Sequence, residues 1–443
     1  MKAPIVRLLS RPLRWLLRLD QPVLLRGEDE LAAEVERNYG WNFSVNLVDG
    51  ATFWLGASFI SSATILPLFV RRLTDSPLAI CLLAVIAQAS WFLPQIFTAN
   101  FMERLARKKP VVVNLGLFLE RLPLWVMVLA ALIAGRSPLL ALILFLGGYA
   151  WHGLGAGVVA VSWQDLIARC FPVERRGRFF GLAMFVGAGS SALGAGVSAW
   201  LLNTYPFPAN FAYTFLIAAV FIFISWCALA LTREPAQAVT APRRSHREYL
   251  VSLPDLIRSD HNYRRFLIAR ALMALGGLGA GFVTVAAVDR WRIPDATAGI
   301  FTAALLIGQT MGNLLFGFLA DRFGHKLSLV LGLLANVLGF AIAWLAPAPE
   351  WYYAAFALFG IASGAVVVSG ILIVMEFSDA ERRPTYVGIA NTSVGIIGVV
   401  APLLGAGLAS IGYSWTFATS AAVSIAALGL MGWWVREPRG ISG

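Results

Sequence analysis

Five ionisable side chains sit inside long apolar tracts, and they are the residues best placed to do chemistry: Asp49, Glu120, Arg121, His152 and Arg270. In hydrocarbon a charge costs of order several kcal/mol unless it is paired or hydrated, so each implies a partner, a water path or a proton. A carboxylate sheds its charge by taking a proton, and a histidine, ordinarily titrating at about 6.5, can carry one near neutrality. The chemistry on offer is ion pairing or proton relay. Glu120 and Arg121 are adjacent, and α-helical winding turns neighbouring side chains apart, so each is expected to bond another helix in a structural role. His152 is read as a buried hydrogen-bonding group that could carry a coupling proton. Amides and indoles of the same tracts, Asn46, Gln88, Gln164, Gln309 and Asn391 with Trp54, Trp91, Trp151 and Trp163, offer hydrogen bonds and stacking faces to an organic solute.

Other chemistries lack their residues. A phosphate-binding loop needs glycine before its lysine, and Lys2, Lys108, Lys109 and Lys326 all lack it. There is no H-E-x-x-H, C-x-x-C or G-x-S-x-G run, and Cys81, Cys170 and Cys227 are scattered. The expectation is a protein without cofactor, metal site or enzymatic activity.

The elements that must position these groups are membrane helices. Of the 443 residues 58% are hydrophobic and 13% charged, where a soluble domain carries about a quarter charged. The apolar residues fall into twelve blocks long enough to cross a bilayer: 43–70, 77–102, 110–134, 138–163, 178–202, 209–231, 266–288, 296–320, 327–346, 351–376, 385–410 and 413–435. In lipid every backbone amide must bond within its own segment, so the blocks are helices. The leucine-rich start of the chain is not a further span. Arg7, Arg11, Arg14 and Arg18 would cost roughly 10–14 kcal/mol at the centre of a bilayer, which the apolar residues between them do not offset. Their spacing on one helical face, with Leu8, Leu9, Leu16 and Leu17 elsewhere on the wheel, suits a helix lying in the surface among anionic lipids.

Basic residues set the orientation. With both termini cytoplasmic, the inner segments take the N-terminal arginines, Arg104 to Lys109, Arg169 to Arg178, the loop after the sixth span, Arg322, Lys326, Arg382, Arg383, Arg436 and Arg439. The outer loops take only Arg71, Arg72, Arg136, Arg290 and Arg292. That asymmetry obeys the positive-inside rule for a cytoplasmic membrane and accounts for the net charge of +11 without a nucleic-acid partner.

The chain also repeats itself. "GFLADRFGHK" (317–326) follows the eighth span and "ANFMERLARK" (99–108) the second, with Glu103 where Asp321 stands and Arg104 where Arg322 stands. "ERRGRFFG" (174–181) is echoed by "ERRPTYVG" (381–388), and "REP" closes both the sixth and the twelfth spans. The expected organisation is a cytoplasmic amphipathic segment 1–42, a six-helix bundle 43–231, a central cytoplasmic loop 232–264, a second bundle 265–435 and a tail 436–443.

Stretch 317–326 resembles the signature loop of the major facilitator superfamily, roughly G-x-L-x-D-R-x-G-R-K, in its usual place between helices 8 and 9. The twelve spans, the degenerate copy and the central loop extend the resemblance over nearly the whole chain. It implies an all-α fold of two pseudo-symmetric bundles, acting as a monomeric secondary transporter of a small organic solute by alternating access, proton-coupled, with efflux as one direction open to it. A transport-inactive sensor or scaffold on the same fold is the alternative. It also implies a latch at the cytoplasmic end. Gly317 would let helix 8 approach helix 11, and Asp321 would meet the start of helix 11, with Arg382 and Arg383 as ion-pair partners. Arg322, Gly324 and Lys326 complete that loop, and Glu103 with Arg104 would form a weaker latch, since Ala106 replaces its glycine. Asp49 of helix 1 and Arg270 of helix 7 are expected to face each other across the cavity as a pair. The chain departs from many proton-coupled members in lacking an arginine in helix 4, and its helix 5 glycines, 187–196, come without proline.

Overall fold

The computed structural model describes residues 11–23, 26–62, 65–74, 77–239, 245–292 and 295–439. Among these every regular element is helical. The first span is α1 (Glu28–Ser58) and α2 (Ile65–Leu73), and the second is α3 (Pro77–Phe92) and α4 (Pro94–Glu103). The third opens with π-helical turns Val111–Leu115 and Leu117–Arg121 and continues as α5 (Leu122–Ile133). Then come α6 (Pro138–Cys170), α7 (Val173–Thr204) and α8 (Ala209–Ala230). After the connecting helix α9 (His246–Ser259), the seventh span is α10 (His261–Gly276), a 3₁₀ stretch Gly277–Phe282 and α11 (Val283–Trp291). The eighth to eleventh are α12 (Asp295–Phe323), α13 (His325–Leu345), α14 (Trp351–Glu376) and α15 (Arg383–Ile411). The twelfth is α16 (Tyr413–Gly429) with a π-helical end, Leu430–Trp434. Ten of these stretches are individually long and apolar enough to cross a bilayer, among the described residues. The first two spans are the remainder, each built from two pieces, the second interrupted where Pro94 follows Leu93.

Several helices outrun the apolar blocks. The first span begins at Glu28 rather than residue 43, because Glu28, Asp29 and Glu30 fill its first turn, where helix dipoles favour anions. The fourth runs on to Cys170 and the fifth starts at Val173, so Asp165, Arg169 and the first "ERR" are helical. The central loop contains α9, which hydropathy alone misses; Ser245 and Glu248 close a reciprocal capping box at its start. Of the N-terminal pattern, residues 11–16 are helical, while Arg7, Leu8 and Leu9 lie outside the described residues, as do 240–244 of the central loop and 440–443 of the tail.

The chain divides into two compact units: Met1–Val173 with Gly189–Arg243 and Ala380–Gly388, and Glu174–Ala188 with Arg244–Asp379 and Ile389–Gly443. The division follows the six-helix halves except that each unit takes in the opening of a helix from the other half of the sequence. In the first unit Phe69, Phe145, Phe211 and Phe215 form a buried aromatic core. In the second, Phe301, Phe340, Phe356 and Phe359 do the same. Leu129, Leu132, Leu139 and Ile143 point outward at more than half exposure, as residues facing acyl chains do.

Candidate functional site

The borrowed helix openings are where the signature residues act. In the second unit Asp321 accepts the backbone N–H of Gly177 at 2.7 Å on one oxygen and that of Arg178 at 2.8 Å on the other. The Arg178 guanidinium adds a contact at 3.3 Å. These amides lie in the first turns of α7, where the helix dipole favours a carboxylate. Backbones touch here. A Cβ on Gly181 would lie 2.7 Å from the Asn313 carbonyl, and one on Gly317 would lie 2.8 Å from the Gly181 Cα, so this crossing of the fifth and eighth spans requires glycine.

That corrects one expectation: Gly317 and Asp321 meet the opening of the fifth span, not that of the eleventh. The eleventh is taken by the other copy of the motif. In the first unit Glu103 accepts the Thr385 amide at 3.2 Å and, in a shorter bond, the Thr385 hydroxyl. Gly388 packs on the second span, where a Cβ would lie 3.1 Å from the Gln95 carbonyl and 3.2 Å from the Ala99 Cβ. Each copy of the signature carboxylate thus holds the opening of the "ERR" helix from the opposite half of the sequence.

A buried charge network backs each contact. Asp165, 1% exposed, is approached by Arg383 Nη1 at 2.8 Å, Arg169 Nη2 at 3.2 Å and Lys108 Nζ at 3.3 Å. Arg383 pairs here, whereas Arg382 is exposed. Glu234, the glutamate of the first "REP", accepts the amides of Lys108 and Lys109 at 2.6 and 2.9 Å, capping the opening of the third span. Burial pushes Lys108 down to about 8, against the pull of Asp165, and pushes Glu234 up, against Arg169. Removing one partner of such a buried pair costs about 3–5 kcal/mol, because the other charge is left uncompensated.

The second unit repeats the scheme with different residues. Glu376 takes the Arg439 guanidinium at 3.0 and 3.1 Å and lies 3.5 Å from His325 Nε2. Glu437, from the second "REP", accepts the Lys326 amide at 2.8 Å, so Lys326 contributes its backbone to the cap. Gly324 turns with φ +87° between the two helices, a conformation that favours glycine. Arg322 lies over the Phe323 ring, and Arg104 donates to Asn100 at 2.8 Å.

The intramembrane candidates divide between the units. In the first, the buried Asp49 carboxylate accepts the Ser225 hydroxyl at 2.5 Å. Glu120 and Arg121 form a close ion pair with each other. Winding still turns them apart in the π-helical turn Leu117–Arg121, but the two side chains are long enough to meet across that angle. His152 Nδ1 lies 2.6 Å from the Glu120 carbonyl, and a Cβ on Gly155 would overlap the Leu119 carbonyl, so the fourth span rides close on that turn. In the second unit Arg270 is buried, donates to Asn391 at 3.1 Å, and lies over the Phe266 ring at 5.8 Å. Its Nη1 has no hydrogen-bond partner among the described residues. Asp49 and Arg270 therefore each hold a neutral partner within their own unit. Asn46 bonds Thr232 at 3.1 Å and Gln309 bonds Ser363 at 3.2 Å; Gln164 is buried, and the Gln88 side chain lies outside the described set.

Comparison with known proteins bears on the family and the fold. Residues 266–442 match the family model Major Facilitator Superfamily. The second half of the chain thus carries the pattern of the major facilitator superfamily. A bacterial homologue of the iron transporter ferroportin, solved in its outward-facing state, superposes with a TM-score of 0.71 at 14% identity over 88% of this chain and 98% of the other, a likeness of fold. Multidrug resistance protein 3 of Bacillus subtilis is 29% identical over 117 residues, 26% of this chain and 23% of that protein. The 4-hydroxybenzoate transporter PcaK of Pseudomonas aeruginosa is 32% identical over 132 residues, 28% of this chain and 29% of that protein. The chain matches about a quarter of the length of these curated superfamily relatives.

Sequence reasoning missed Asp165, Arg169, Glu234, Glu376, Glu437 and Arg439. The two glutamates of "REP" were visible as a repeat; what they cap was not.

Proposed function

We propose that the protein is a secondary transporter, not an enzyme, carrying a small organic solute across the cytoplasmic membrane by alternating access, with both termini inside. The observation that carries this reading is the exchange of helix openings: Glu103 holds Thr385 while Asp321 holds Gly177 and Arg178. Such ties close the loop-rich end, and opening that end requires both to break. Asp165 and Glu376 would hold the same closure from deeper positions.

The solute we infer is an organic anion. Arg270 is a buried guanidinium with no carboxylate within ion-pair distance among the described residues, and its Nη1 is unsatisfied. An anionic solute would compensate that charge with paired N–H donors. The likeness to a 4-hydroxybenzoate transporter is in keeping with this. Proton coupling would fall to Asp49, Glu120 and His152, which lie in the unit lacking Arg270. The basic N-terminal segment would rest on anionic lipid headgroups, and the monomer would be the working unit.

Uptake or counterflow of labelled aromatic carboxylates into proteoliposomes tests the reading. We expect saturable flux in the wild type and at least a tenfold higher KM in Arg270→Gln. Binding of these solutes without flux in either direction would favour a sensor on the same fold.

A further inference from the structure

A cavity of about 640 Å³ lies in the first unit between the N-terminal segment and the third and sixth spans. One wall is polar with a net positive charge, from Arg14, Arg18, Asp20 and Asn114, and the other is apolar, from Leu117, Phe118 and Trp226. The N-terminal segment is fastened over it. Leu17 is 2% exposed, the Leu16 carbonyl accepts the Asn114 amide at 2.6 Å, and the Gln21 carbonyl accepts Arg107 at 3.2 Å. Trp226 is fixed on the far wall by its indole N–H, which donates to the Val113 carbonyl at 2.8 Å.

We propose that this cavity is a specific site for one anionic phospholipid, its phosphate held by Arg18 and Arg14 and an acyl chain lying along Leu117, Phe118 and Trp226. The inference rests on the chain spanning a membrane with its basic loops at the surface. Three observations carry it beyond general attraction to headgroups.

First, one of the two positive charges at the cavity is uncompensated. Arg14 is paired with Asp20, but the Arg18 guanidinium has no acceptor among the described residues and lies within Coulombic range of Lys109. Lys109 is itself held in place through its amide by Glu234. Second, Arg14 and Arg18 are held on one turn. Arg18, φ +52°, is the left-handed residue of a Schellman turn that ends the N-terminal helix, in which the Leu19 amide donates to the Arg14 carbonyl and the Arg18 amide to the Trp15 carbonyl. Third, the cavity joins charge to grease. Phe118 is half exposed on the third span, and Trp15 is 79% exposed, a setting that suits a tryptophan anchoring at a lipid headgroup layer. A free phosphate would leave the apolar wall unused, whereas a lipid uses both.

Native mass spectrometry of the full-length protein, released from bilayers of equal phosphatidylglycerol and phosphatidylcholine, tests this. We expect one phosphatidylglycerol retained, reduced about tenfold by Arg14→Gln with Arg18→Gln and preserved by the double exchange to lysine. Leu117→Trp, which fills the cavity without touching charge, should displace the same lipid and guards against misfolding of the arginine variant. Equal retention of the two lipids overturns the proposal, as does wild-type retention in both the glutamine and the tryptophan variants. Displacement by millimolar inorganic phosphate would mark an anion site without lipid specificity and overturn it too. Solute flux of the wild type, measured in the same preparations, reports on the transporter reading separately.

Discussion

Asp321 and Gly177 lie far apart in the sequence, yet the Asp321 carboxylate accepts the Gly177 amide at 2.7 Å. The bond ties the motif after the eighth span to the opening of the fifth, and Glu103 with Thr385 repeats it with the halves exchanged. Two different helix openings, those of the fifth and eleventh spans, are thus each held by a carboxylate from the opposite half of the sequence. The proposed alternating access requires such ties to break when that end opens.

Asp321→Asn keeps the shape and removes the charge that two amides and Arg178 address. Each charge-assisted bond is worth about 1.5–3 kcal/mol, so the closed population should fall by tenfold or more. Maleimide labelling of Asn313→Cys, a position 2% exposed at the Gly181 crossing, should accelerate in this variant in a cysteine-free background. An unchanged labelling rate with normal folding argues against the latch.

Glycine contacts predict a sharp contrast within one helix. Gly181→Val drives a side chain into the Asn313 carbonyl and the Gly317 backbone, while Gly189→Val on the same helix meets open space. The first should lower the melting temperature in detergent by several degrees or prevent folding; the second should leave it within about a degree.

Lys108 gives a pH signature with a defined sign. Burial lowers it from 10.5 to about 8 in the folded protein. Folded Lys108 therefore gives up its proton earlier than the unfolded chain, so stability rises as pH climbs from about 8 towards 10.5 and is lost on the way back down. The melting temperature of the wild type should gain on that of Lys108→Met by a few degrees between pH 8 and 10. A constant difference across that window contradicts the buried placement.

Proton coupling, if it runs through the first unit, should fail at Glu120. Glu120→Gln keeps the geometry beside Arg121 and His152 but cannot release a proton. Gradient-driven accumulation should collapse while solute exchange at equal pH persists. Loss of both would assign Glu120 to folding or solute binding instead.

Much of this was legible in the sequence, and for physical reasons. Bilayer thickness fixes span length, so the blocks marked the helices. Partners were harder. Asp321 was correctly drawn to a helix opening, but sequence order does not say which, and only the Gly177, Gly181 and Gly317 stacking selects the fifth span. Asp165 was missed because α6 continues past its apolar block, turning a loop residue into a buried one. The Glu120–Arg121 pair was misjudged because winding turns neighbours apart, yet these two side chains are long enough to meet.

The central claim is that the second and eleventh spans separate during transport. Ala99→Cys with Gly388→Cys tests it outside the charge network, since a Gly388 Cβ would lie 3.2 Å from the Ala99 Cβ, close to the ~3.5–4.5 Å of a disulfide. In a background free of other cysteines, oxidation should abolish solute flux and reduction should restore it. Full flux through fully cross-linked protein would contradict the account.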